Sequence, residues 1–136
     1  MPTFLNTSGP VGEEDVGEFE RRHAIQLPPS YRSFLLETNG GAPKPSAVAD
    51  RHVEYLYSLN GSRDQVDLEF AQGSFVDLPP SHIAVGIDPF GNPFVLDCSS
   101  GAVCLLDHKR GEDDHELKPL AASFEAFLAL LHAAAR

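Results

Sequence analysis

Apolar positions along this chain recur with two different periods, and the points where the period changes mark out the elements. Val16 and Phe19 stand three apart, followed by His23, behind a run of acids at Glu13, Glu14 and Asp15. Acids favour the positive end of a helix dipole, so a helix with one narrow apolar face is expected from Gly12 onward. A second helix follows Leu27. Pro28 and Pro29 are acceptable only in its first turn, and Tyr31, Phe34, Leu35 and Thr38 fall at i, i+3, i+4 and i+7. Asn39-Gly40-Gly41 tolerates positive φ and ends it. Towards the other end of the chain Ser123 caps a last helix, in which Phe124, Phe127, Leu128 and Leu131 repeat the same spacing.

Between these helices the period drops to two. His52 to Leu59 alternates through Val53, Tyr55, Tyr57 and Leu59 and reads as a strand that Asn60-Gly61 ends. Three more β runs, His82–Asp88, Pro93–Cys98 and Ala102–His108, are separated by Pro89-Phe90-Gly91-Asn92 and Ser99-Ser100-Gly101. Short turns between β runs join antiparallel neighbours, so the runs form a meander. Residues 62–80 fit either a strand or an irregular acidic loop, since Val66, Leu68 and Phe70 alternate with Asp67 and Glu69. Residues 1–11 read as a lead-in, 42–51 as a loop rich in Pro and Ala, and Lys109–Lys118 as a charged loop. The expected fold is α+β: two N-terminal helices, a central mainly antiparallel sheet and a C-terminal helix, in one domain over residues 1–136.

Composition adds little to this picture until charge is considered. The 136 residues are 42% hydrophobic and 22% charged, ordinary values for a globular domain that needs neither disulfides nor metal to build its core. Ten basic residues face twenty acidic ones, a net charge of −10. Residues 1–60 carry −3 of this and residues 61–120 carry −7. Such a chain is repelled by nucleic-acid phosphates and anionic lipid, and attracts a basic partner. No apolar run has the length of a membrane helix, and the first ten residues lack the features of a signal peptide. A cytoplasmic location is therefore expected, and two cysteines agree with it.

The residues that carry chemistry in enzymes form no familiar pattern. Gly-x-Ser-x-Gly, Walker, Gly-x-Gly-x-x-Gly and His-Glu-x-x-His motifs are all missing from the sequence. His82, His108 and His115, with Asp88, Asp97 and Asp107, could converge on a metal, but none has the close pairing of a zinc motif. No catalytic residue, metal or cofactor is expected. A short loop at Ser99–Ala102 would set Cys98 opposite Val103 and Cys104 opposite Asp97, on different faces of the hairpin, where the thiols stay free. The acids of Asp64, Asp67 and Glu69, and of Glu112, Asp113 and Asp114, read either as a solvated surface or as a docking face for a cationic protein.

One resemblance sharpens these expectations. Glu20, Leu27-Pro28, Tyr31, Phe34-Leu35 and Asn39-Gly40-Gly41 match the N-terminal signature of the SUKH superfamily, which includes Smi/Knr-type yeast cell-wall regulators and many bacterial proteins. The run Asp88 to Asp97, the strand ending Leu106-Asp107-His108, and Ala122 to Leu131 match its second half. The resemblance spans roughly residues 12–132 and is weakest from Ala42 to Ser81. It implies the same order of helices and strands, and a bacterial immunity protein of a polymorphic toxin system, non-catalytic, that occludes a cognate toxin such as a basic nuclease. Asp64, Asp67, Glu69, Asp88, Glu112, Asp113 and Asp114 are the acids expected to face that toxin, with Asp64, Asp67 and Glu69 expected on the surface. A regulatory scaffold of the same fold is the second reading. A metal protein or enzyme built on His82, Asp88, Asp97 and His108 is the third.

Overall fold

In a computed structural model, which describes residues 2–61, 63–75, 78–108 and 115–132, the two N-terminal helices stand where the spacing puts them. Helix α1 spans Glu13–His23 and begins with a bond from the Gly12 amide to Asp15 Oδ2 at 2.9 Å. Helix α2 spans Pro29–Glu37 and buries Tyr31, Phe34 and Leu35. Between them Ala24 takes a left-handed φ of 52°, and Glu20 reaches across to accept a bond from the Leu27 amide at 2.8 Å. The acid of the N-terminal signature is thus a brace for the α1–α2 corner.

Ahead of α1 lies a short strand, β1 (Thr3–Leu5), paired with β2 (Ala42–Lys44). Strands β3 (Ala47–Val48) and β4 (Arg51–His52) make a second small ladder, so both the expected lead-in and the expected loop carry paired backbone. The strand expected over His52–Leu59 is broken: His52 belongs to β4, and β5 (Tyr55–Leu56) is the part that joins the central sheet. The reason lies in Ser58, whose amide and carbonyl leave the sheet to bond Val66 and Leu68.

The central sheet is a five-stranded antiparallel meander in the order β5, β6 (His82–Ile87), β7 (Pro93–Asp97), β8 (Val103–His108) and β9 (His115–Ala121). Part of the segment read as a charged loop is therefore strand, because His115–Lys118 pairs with β8. The β7–β8 register is two residues from the one expected, with Cys104 opposite Val95 and Val103 opposite Leu96. Asp97 causes the shift: its carboxylate accepts from the Ser99 amide and from the Ser99 and Ser100 hydroxyls, and its backbone pairs with Ala102. A shift of two leaves Cys98 and Cys104 on different faces, and both are free.

The C-terminal helix, here α4 (Phe124–Ala129), is capped by Ser123 Oγ, which accepts from the Ala126 amide at 3.0 Å. It packs against α2 and β9. The core joins helices to sheet through aromatic rings: Tyr31 and Phe124 lie 4.8 Å apart, Phe34 and Phe124 5.0 Å, and Phe94 and Phe127 5.5 Å. The fold is α+β as expected, with one helix more than the pattern foretold.

Candidate partner-binding face

That extra helix, α3 (Leu68–Ser74), occupies the segment for which strand and loop both fitted, and a 3₁₀ turn at Asp64–Val66 leads into it. Asp67 explains the outcome. Its carboxylate accepts from the Gly61 amide at 2.9 Å and from the Phe70 amide at 3.1 Å, fixing the turn and capping the helix together. Leu68 and Ala71 then fall at i and i+3 and are buried, which sends Phe70 outward. Helical spacing was present in Leu68 and Ala71 all along. The alternation of Val66, Leu68 and Phe70 hid it.

Gln72 fastens α3 to the sheet. Strand β5 pairs with β6 only at Gly86 and Ile87, which leaves the backbone of Ala84 without a strand neighbour on that side. The Gln72 amide takes the place of one, donating to the Ala84 carbonyl at 2.8 Å and accepting from its amide at 3.0 Å. A second tie runs to α1: Glu69 meets Arg22 Nε at 2.7 Å and His23 Nε2 at 2.5 Å. Burial opposes ionisation of Glu69, but the bonds from Arg22 and His23 outweigh it and hold its carboxyl below the ordinary value.

Between α3 and the β5–β6 edge lies a groove of about 200 Å³, whose lining includes Tyr55, Tyr57, Asp64, Phe70, Phe75 and Ile87. The Tyr55 and Tyr57 rings meet edge to face at 5.7 Å. Phe70 is 53% exposed, a large apolar ring held in water. Asp64 is exposed, and its carboxylate has no hydrogen bond or ion pair among the described residues. Apolar rings beside an uncompensated acid suit a partner that is both apolar and cationic at its contact. Tyr55, Phe70 and Ile87 were not singled out from the sequence, since only the packing of α3 brings them to one groove.

The acids expected at the interface therefore separate. Asp64 stands free on the surface, whereas Asp67 and Glu69 are half-buried and engaged in holding α3. Asp88 is 3% exposed, and its carboxylate faces into its own turn. One oxygen accepts from the Phe90 and Asn92 amides, and the other from the Asn92 side chain at 3.0 Å. That turn holds up Phe90, which is 85% exposed. Glu112, Asp113 and Asp114 lie outside the described residues.

The residues of the metal or enzyme reading come together only in part. His82 and Asp97 face each other across β6 and β7, with His82 Nε2 at 3.9 Å from Asp97 Oδ2. Asp88 follows the opposite end of β6, and the side chain of His108 lies outside the description. Instead Asp88 and Asp107 share Arg51, at 3.9 and 2.8 Å, and Lys118 adds a contact to Asp107 at 2.8 Å. These pairs tie β4, β8 and β9 together. Among the described residues no three His, Cys, Asp or Glu side chains are grouped to hold a metal ion. Burial pushes the Cys98 thiol up to about 12 and raises that of Cys104, which takes both away from thiolate chemistry.

A larger groove of about 700 Å³ runs along the α1–α2 corner past Glu20, Arg32 and Cys98. There Arg32 pairs with Glu13 and lies 3.8 Å from Glu20. No helix among the described residues is long and apolar enough to cross a membrane.

No curated protein matches the chain. The family model of the SMI1 / KNR4 family (SUKH-1) matches residues 10–130, from the approach to α1 through α4, and the chain belongs to that family.

Proposed function

We propose that this protein is an immunity protein, which binds a cognate toxin of a polymorphic or contact-dependent system in the cytoplasm and neutralises it by occlusion. The toxin is a nuclease whose basic cleft, built for phosphate, is attracted by the acidic half of the chain. No catalysis by the immunity protein is involved. Family membership supports the reading, since bacterial domains of this type are mostly immunity proteins, and so does a net charge of −10. The observation that carries it is the face beside α3, where Phe70 is 53% exposed and Asp64, in the same groove, has no partner among the described residues. An exposed aromatic ring is unfavourable surface in a free monomer, and beside an uncompensated acid it finds its use in a complex.

The test is protection. Cells expressing a toxin encoded beside this gene should survive when the protein is co-expressed, and purified protein should abolish nuclease activity at one molecule per toxin. Inactivation of many toxin molecules by one protein would exclude occlusion. Absence of protection against every neighbouring toxin would exclude the immunity role.

A further inference from the structure

Within the reading of a basic protein partner, on which this inference rests, we propose that the groove between β5 and α3 receives one arginine side chain of that partner. The groove is too small for a helix or a strand, but about 200 Å³ accommodates a single long side chain. Its walls are aromatic, from Tyr55, Tyr57, Phe70 and Phe75, and its charged member among the described residues is Asp64. A guanidinium is planar, stacks on aromatic faces and meets a carboxylate through two parallel N–H bonds. An ammonium is more strongly hydrated and has no fork to offer Asp64. The methylene stem of arginine would cover Phe70 and Ile87, the apolar surface that water otherwise touches.

Charge around the groove favours the same occupant. Glu54 and Arg63 both line the adjoining groove, which shares Tyr55, and act on the Tyr55 hydroxyl in opposite senses. Asp67 and Glu69 are engaged in capping and in the tie to α1. Among the described residues that line the groove Asp64 is the one acid, so a single cation matches it.

The experiment titrates ¹⁵N-labelled protein with acetyl-Gly-Arg-Gly-amide, alongside peptides carrying citrulline, lysine or norleucine in place of arginine. Citrulline keeps the shape and removes the charge. The arginine peptide should shift the amides of Tyr55, Asp64, Phe70 and Ile87, and the citrulline and lysine peptides should bind about threefold to fivefold more weakly or worse. Asp64→Asn should weaken the arginine peptide by a similar factor, and Phe70→Ala should also weaken it. Glu37→Gln, which removes an exposed acid on α2, should leave it unchanged. Both test positions are exposed, and retained amide dispersion would show that each variant is folded. Shifts elsewhere, no shifts, a norleucine peptide that binds as well as arginine, or an Asp64→Asn variant that binds as tightly would each overturn the proposal. The immunity reading fails separately: arginine docking without neutralisation of any toxin would leave the groove assignment standing. Neutralisation that survives Asp64→Asn and Phe70→Ala undiminished would remove the groove and keep the immunity role.

Discussion

Tyr31 shows what spacing can say of a residue and what it cannot. Its place at i, with Phe34 and Leu35 at i+3 and i+4, puts it in the core, and it is fully buried. The spacing does not reveal that its hydroxyl has no hydrogen-bond partner there among the described residues. An unmet buried hydroxyl costs more than it returns, so Tyr31→Phe should raise the free energy of unfolding by about 1 kcal/mol in urea denaturation. A loss of stability would show that the hydroxyl is satisfied. Phe34 packs on Phe4, Tyr31 and Phe124, and Phe34→Ala should cost about 3–5 kcal/mol in the same assay. Asp97 gives a pH dependence. The Ser99 hydroxyl, with Ser100 and the Ser99 amide, lowers its carboxyl from 3.8 to about 2. A carboxyl lowered by folding adds stability that is present above its unfolded value and is lost as pH falls through its folded one. The gap in melting temperature between wild type and Asp97→Ala should therefore be constant near neutrality and close between pH 3.8 and about 2. A gap that widens on acidification would contradict this.

At the scale of elements, the helices that announced themselves were those whose end signals and apolar spacing agree, α1, α2 and α4. Helix α3 did not, because its seven residues are too few for periodicity to tell from alternation, and its cap, Asp67, reads equally as an acid in a loop. Strand β9 was obscured by charge: Glu116 and Lys118 suit water, and only pairing with β8 makes them strand. The turn after α2 was legible as a stop signal, but its second role was not. Asn39 is buried, and its side chain bonds the Gly9 carbonyl and both backbone groups of Leu59, so the stop also joins three segments. Gly40 follows with a φ of +84°, and a Cβ there would fall on Ser58 Oγ and within 2.9 Å of the Leu56 and Tyr57 carbonyls. Gly91 has a similar φ of +86° with open space around it. Gly91→Ala should thus cost only the conformational penalty of about 1–2 kcal/mol. Gly40→Ala should cost distinctly more, or leave no cooperative unfolding transition. Equal melting temperatures for the two variants would refute the close approach at Gly40.

For the whole molecule the relevant quantity is the field. Seven of the ten net negative charges lie in residues 61–120, which include α3 and most of the sheet. If this field steers a basic toxin, the association rate should fall with salt, as the Debye length shrinks from about 10 Å at 0.1 M to about 3 Å at 1 M. Stopped-flow association at several salt concentrations measures this, and a flat profile would mean an interface without long-range attraction. Charge reversal must respect the structure. Asp64→Lys breaks no side-chain hydrogen bond or ion pair among the described residues, and should slow association without moving the melting temperature. Asp67→Lys and Glu69→Lys also remove a cap and the tie to α1, so they should lower the melting temperature as well. The sequence by itself determined the α+β class, the meander, the three helices with clear apolar spacing and the overall sign of the charge, because each depends on local spacing or on a sum over residues. Tertiary structure alone decided which acids remain available to a partner and which rings meet in a groove. Asp64, Asp67 and Glu69 are alike as acids in the sequence, and their roles part only once the folded chain supplies Gly61, Phe70, Arg22 and His23 as partners for two of them.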